Sequence, residues 1–223
     1  MPLTIPTHPI AVVPLKIWRP RWFDGVALVI GTMAPDLSYA IHGFGVLPRT
    51  HNLPSLVWWS LPVTLVLTRL VRWAAPGVAG HFRLGDYGVL GTVRHRWHVT
   101  VGSALLGAFS HLVWDAFTHP GYLSWWGPLS DASNVAGFVV GTYLVVRIGR
   151  SGLLRKWHGA PPRFSPRPLV FWPMVAGVAG CGLAAVLAWP VDWFAGQAIR
   201  VLVICGLALL AGAAAARRGL FSG

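Results

Sequence analysis

The sequence predicts an all-α fold: a polytopic membrane helical bundle of about six transmembrane helices, with an N-terminal half-span or re-entrant helix. Three observations predict it. The 223-residue chain is 55% hydrophobic and only 11% charged, with a mean hydropathy of +0.60, whereas a soluble domain carries about 25% charged residues. Apolar runs of roughly the 20 residues that a helix needs to cross a bilayer recur along it. Lys and Arg collect in alternate connections between those runs, as cytoplasmic loops require.

The N-terminal stretch, "MPLTIPTHPIAVVPLKIW", carries Pro2, Pro6, Pro9 and Pro14, and no basic residue precedes its apolar part. That order is the reverse of a cleavable signal peptide, so insertion is expected to rely on the spans themselves. From His8 onward the stretch is long enough, at about 15 Å, to run partway through the bilayer as a re-entrant element, which is tolerated only inside protein. Spans are then expected at about 25–43, 54–73, 99–118, 169–189 and 196–216, with a shorter one at 134–148. Asp24 and Asn134 stand at the N-cap positions of the first span and of the short one.

The charges test this division. Lys16, Arg19 and Arg21 fall in the N-terminal arm, and Arg69, Arg72, Arg83, Arg94 and Arg96 around the connection 69–97. Arg147, Arg150, Arg155, Lys156, Arg163 and Arg167 fall around 147–167, and Arg217 and Arg218 in the tail. The intervening connections hold only Arg49 near 44–53 and none at 119–133 or 190–195. This alternation puts both termini in the cytoplasm of a multi-pass cell-membrane protein. The formal net charge of +12 therefore reads as affinity for anionic lipid head groups at the cytoplasmic face. Nucleic acid is not an expected partner, because the basic residues are dispersed between apolar runs. Membrane lipids are the expected surroundings.

Three regions follow: a helical domain at 1–150 holding nearly all the polar residues of the spans, a basic Pro-rich cytoplasmic linker at 151–168, and a two-helix membrane hairpin at 169–223. Gly177, Gly180 and Gly182 would let helices of the hairpin approach closely. Cys181 and Cys205 lie in apolar runs without metal-ligand spacing and are expected to be buried thiols outside any disulfide.

The polar residues of the first region carry the functional argument. In "SHLVWDAFTHPG", His111, Asp115 and His119 recur at steps of four, which offsets neighbours by about 40° and gathers them on one helix stripe. A charged carboxylate inside a bilayer costs about 2.5–3.5 kcal/mol on insertion scales, so the stripe is expected to face protein. Asp36 lies about 18 Å from the inner surface and His111 about 20 Å, at a rise of about 1.5 Å per residue. His51 precedes the second span from the outer side. The geometry permits a cluster of His8, Asp36, His51, His111 and Asp115, with His119 beside it. Each residue also has a structural explanation: His111–Asp115 as a carboxylate fixing an imidazole, Asp36 satisfying backbone groups after Pro35, and His51 and His119 as solvated loop residues.

"PTHPIAVVPL", "ALVIGTMAPDLSY", "RTHNLPS" and "GAFSHLVWDAFTHPG" occur in this order. Together they resemble a family of small bacterial multi-pass membrane proteins defined by the domain of unknown function 4184, over about residues 1–150. That family is in turn distantly similar to membrane-bound metal-dependent hydrolases and, more remotely, to zinc-dependent phospholipase C. The resemblance implies metal ligation by His8, Asp36, His51, His111 and Asp115, and Gly107 fits the Gly-x-x-x-His-x-x-x-Asp element. It departs at one place: the hydrolase pattern has His-Ser where this chain has His51-Asn52, with Ser55 three residues on.

Neutral His with ionised Asp suits a divalent metal, zinc first and manganese or iron when more carboxylate oxygens bind. The acidic residues are all Asp, six with no Glu, so Asp115 or His119 would serve as catalytic acid or base. The absence of Glu also excludes a His-Glu-x-x-His metalloprotease. The expected function is an integral-membrane metal-dependent hydrolase acting on a lipid or amphiphile, phosphoesters included, through an activated water. Two other classes stay open: a non-catalytic scaffold whose polar cluster holds helices together, and a cation or proton transporter.

Overall fold

The computed structural model describes residues 4–42, 44–45, 48–120, 126–191 and 193–218. Every regular element among them is helical: α1 (Thr4–Trp18), α2 (Gly25–Met33), α3 (Leu61–Phe82), α4 (Trp97–Thr118), α5 (Trp126–Arg150), α6 (Leu153–His158), α7 (Pro168–Ala188) and α8 (Phe194–Arg218). Three stretches of helix, at 127–150, 168–188 and 194–217, are long and apolar enough to cross a membrane, as befits a membrane protein.

The expected first span, 25–43, is broken. Its α-helix has only 9 residues, and a 3₁₀ segment at Asp36–Ile41 follows. Pro35 is the cause, because it brings no N–H to the helical ladder. Residue 43, the expected end of that span, lies outside the described residues, as do 121–125 in the connection before α5. The expected span 54–73 opens with a π-helical turn at Leu56–Ser60 and continues as α3 to Phe82. The short span expected at 134–148 starts earlier, at Trp126. Asn134 is therefore inside α5 and does not cap it. Gly127, Pro128, Ser130 and Asp131 read as a loop in sequence, but the N–H groups of a first helical turn have no partner within the helix, so Pro128 is tolerated there.

The described chain forms two compact units, one from 1–38, 48–68 and 94–148, the other from 39–47, 69–93 and 149–223. In the first, α2 packs along α4, and α1 lies against both. The α2–α4 crossing is set by small residues: a Cβ on Gly31 would stand 2.5 Å from the Ala104 carbonyl oxygen, and one on Gly107 would strike the Leu28 carbonyl oxygen. Small residues at such crossings let backbones approach closely. Asp24 anchors the other end. It caps α2 by accepting from the Ala27 N–H at 3.3 Å, accepts from Thr100 Oγ1 at 2.7 Å, and donates its own N–H to Ser103 Oγ at 2.9 Å. His8, Val12 and Lys16, at steps of four on α1, are buried, and Lys16 Nζ donates to the carbonyls of Pro20 and Phe23 at 2.6 and 2.9 Å. The N-terminal segment is thus a helix enclosed by protein along one face. Trp114 Nε1 donates to Ser133 Oγ at 2.9 Å, joining α4 to α5.

In the second unit α7 and α8 pack antiparallel, Gly182 against Ile204 and Gly212 against Val175 and Phe171. Gly177 and Gly180, expected at a helix contact, face no described atom within 4 Å. Cys181 and Cys205 are free and exposed rather than buried, because the helix faces that carry them are apolar yet uncovered by protein. Leu169 and Leu187 are likewise exposed, at 90% and 70%, which suits lipid as the surrounding solvent. Asp86 pairs with Arg155 at 2.7 Å. His81 stacks on Phe171 with ring centroids 3.9 Å apart.

Candidate metal centre

His111 is on α4, one turn after Gly107. Because Gly31 and Gly107 bring α2 and α4 together, the carbonyl of Thr32 reaches the His111 ring, 2.8 Å from Nδ1. A carbonyl oxygen only accepts, so Nδ1 carries the proton and donates it. In the neutral ring Nε2 is then an unprotonated donor atom. It points at carboxylates, 3.0 Å from Asp115 Oδ2 and 3.5 Å from Asp36 Oδ1.

Asp36 reaches this point because Pro35 ends α2. The Ala34 carbonyl, which accepts from the Leu37 N–H at 3.3 Å, also accepts from Trp59 Nε1 of the π-helical turn at 2.9 Å. Such turns are frequent at functional sites. The same segment is preceded by His51, whose Nε2 lies 2.8 Å from Asp36 Oδ1, 3.6 Å from Asp115 Oδ2 and 3.3 Å from His111 Nε2. The Asn52-Ser55 pair that departs from the His-Ser pattern closes a turn here: Ser55 N–H donates to Asn52 Oδ1 at 3.0 Å, and Ser55 Oγ donates to the Asn52 carbonyl at 2.6 Å. The departure leaves His51 in the cluster.

From α1, His8 stacks on His111 with centroids 4.1 Å apart. Its Nε2 is 3.6 Å from Asp115 Oδ1. His119, just past the end of α4, places Nδ1 3.4 Å from the same oxygen. All six residues singled out in the sequence are therefore brought together. Two ligand sets share His111: His8, Asp36 and His111, and His51, His111 and Asp115, the donor atoms of each set lying within 4.8 Å of one another. His8 and His111 are 2% and 0% exposed, whereas His51 and His119 side chains are 29% and 24% exposed. The cluster has a closed floor and a partly open rim.

The residues fit a divalent cation. Neutral imidazole nitrogens and carboxylate oxygens are its ordinary ligands, and several converge at ligand-set distances. Asp115 Oδ1 is buried and makes no hydrogen bond. An ionised oxygen in that state needs a positive partner.

Sequence reasoning missed the groups that hold these ligands. Ser38 Oγ donates to the Pro35 carbonyl at 3.0 Å and lies 3.0 Å from Thr50 Oγ1, which in turn lies 3.2 Å from His51 Nδ1. The one signal available was adjacency: Thr50 directly precedes His51, and Ser38 stands two residues after Asp36.

No curated protein and no solved structure matches the chain. Residues 1–149 match the family model described as Domain of unknown function (DUF4184), and the chain belongs to that family.

Proposed function

We propose that this protein is an integral-membrane, metal-dependent hydrolase acting on a lipid or other amphiphile, phosphoesters included. One observation carries the reading: Nε2 of His111, in a ring held through Nδ1 by the Thr32 carbonyl, faces the carboxylates of Asp36 and Asp115. Two carboxylates converging on the imidazoles call for positive charge among them, which a bound divalent cation would supply in place of ring protons.

His51, His111, Asp36 and Asp115 would hold the ion, with His8 as a further ligand from α1. Nitrogen and oxygen donors favour zinc, and manganese or iron where more carboxylate oxygens bind. A divalent ion bound there would lower the pKa of water to about 7 and polarise the scissile ester. His119, beside Asp115 Oδ1 and on the open rim, is placed to take up or return a proton. The floor formed by His8 and His111 keeps bulk water out.

The proposed setting is the cell membrane, with about six crossings and both termini cytoplasmic. The alternation of Lys and Arg between connections supports it, and those cations would pair with anionic lipid head groups.

The test is elemental analysis of the full-length protein purified in detergent, followed by assay on phospholipid vesicles. About one equivalent of zinc, manganese or iron per chain, with release of a water-soluble product, is expected. Protein that retains no metal after purification in metal-supplemented buffer overturns the reading.

A second reading, cation or proton transport, is favoured by one feature. Ser60, Thr64 and Thr68 recur at steps of four, are buried, and have hydroxyls without a hydrogen-bond partner. Ion flux across proteoliposomes that is abolished by Thr64→Val would favour it over hydrolysis.

A further inference from the structure

We propose that Ser38 and Thr50 are positioning residues that fix the His51 imidazole with its proton on Nδ1, so that Nε2 serves as a ligand at the rim of the centre. The inference rests on the metal reading above and adds how the more exposed ligand is oriented.

The direction of the hydrogen bonds follows from counting protons. A hydroxyl has one proton to give and two lone pairs to accept with. The Pro35 carbonyl only accepts, so Ser38 Oγ, 3.0 Å away, spends its proton there. The 3.0 Å contact between Ser38 Oγ and Thr50 Oγ1 must then use the proton of Thr50. Thr50 Oγ1 is left with lone pairs only, and at 3.2 Å it accepts from His51 Nδ1–H. In a ring that binds an ion, His51 Nε2 is consequently left to offer its lone pair. Without an ion it hydrogen-bonds Asp36 Oδ1 at 2.8 Å, where only the ring can donate, and lies 3.3 Å from His111 Nε2.

Burial makes this chain a constraint rather than a passing contact. Ser38 and Thr50 are 0% and 1% exposed, so water does not compete for their hydroxyls. His51 has a 29% exposed side chain and sits in a loop, where two ring tautomers and a free χ2 would otherwise be available. His111 needs no such relay, because a backbone carbonyl sets its proton directly. The two imidazoles are therefore fixed by different means, one through the α2 backbone and one through side chains that begin at the Pro35 break. Partners of this kind orient the ligand, and losing them typically costs about 10–100-fold in metal affinity.

The experiment compares wild type with Thr50→Val, Thr50→Ser and Ser38→Ala in the full chain. Zinc affinity is read by competition with a chelating dye, and the visible spectrum is read with Co²⁺ in place of zinc. Thr50→Val, which keeps the shape and loses the hydroxyl, should weaken zinc binding about 10–100-fold and alter the Co²⁺ bands. Thr50→Ser should bind within about threefold of wild type. Metal-free unfolding temperatures of wild type, Thr50→Val and Thr50→Ser should agree, which separates orientation from loss of fold. Unchanged zinc affinity in both Thr50→Val and Ser38→Ala overturns the proposal. If the wild type binds neither metal, the hydrolase reading fails on its own. Nitrogen NMR of ¹⁵N-histidine-labelled protein then decides the positioning: His51 protonated on Nδ1 in wild type and not in Thr50→Val sustains it, and an unprotonated Nδ1 in wild type overturns it.

Discussion

Gly31 of α2 and Gly107 of α4 face each other across the helix crossing, so close that a Cβ on Gly31 would lie 3.2 Å from the Gly107 Cα. The contact brings the Thr32 carbonyl to His111. Gly107→Val should therefore disturb the centre without touching any ligand. Forcing side-chain atoms into such a contact costs about 1–3 kcal/mol, and the separated helices would leave His111 Nδ1 without its acceptor. The expected outcome is a lower unfolding temperature in detergent together with lost metal, read by thermal scanning and elemental analysis.

Asp115 has one oxygen toward His51 and His111 and the other toward His8 and His119. Asp115→Asn keeps the shape and removes the charge. It should abolish metal retention while the protein still inserts and purifies as a folded species, checked by elemental analysis beside circular dichroism.

His119 approaches Asp115 from outside the two ligand sets. His119→Ala should keep the metal content of wild type. Its turnover on vesicle substrate should fall by about 10²–10⁴-fold, the range for loss of a general acid or base. Loss of metal in this variant would make His119 a ligand instead.

Chelation gives a further prediction. An ion bound only by the folded protein stabilises it by about 2.7 kcal/mol when its free concentration is a hundred times its dissociation constant. The unfolding temperature should fall on removal of metal from wild type, recover on adding zinc, and not respond in Asp115→Asn.

Asp24, at the other end of α2 from Asp36, holds the same pair of helices. Asp24→Ala removes the α2 cap and leaves Thr100 Oγ1 without its acceptor. A loss of about 1 kcal/mol or more is expected, since a cap alone is worth roughly that. Chemical unfolding in mild detergent measures it.

What the sequence made legible was whatever depended on local chemistry. Asp24 was readable as a cap because a short acceptor before an apolar run has few other uses. The stripe of His111, Asp115 and His119 was readable because helical spacing alone puts the three on one side. Pro35 lies in the middle of the expected span, yet hydropathy carries that span through to residue 43, because it averages over a proline. Asn134 misled for the opposite reason: the polar start of α5 looks like a loop until its unpaired first-turn groups are considered. Cys181 and Cys205 show that apolar surroundings in sequence do not distinguish a protein interior from a lipid-facing surface. Ser38 and Thr50 had only adjacency to point to them, because ordinary hydroxyl residues acquire meaning only when two segments are folded together.

The gradient from sealed His8 and His111 to accessible His51 and His119 has a consequence for anything that is to react here. An incoming molecule would meet the loop imidazoles first and reach the stacked ring pair only with its leading atoms, so shape at the threshold would sort reactants before chemistry does. Bulk added to His51's neighbours would then alter which molecules are accepted, whereas bulk added beside His8 would simply dismantle the chamber.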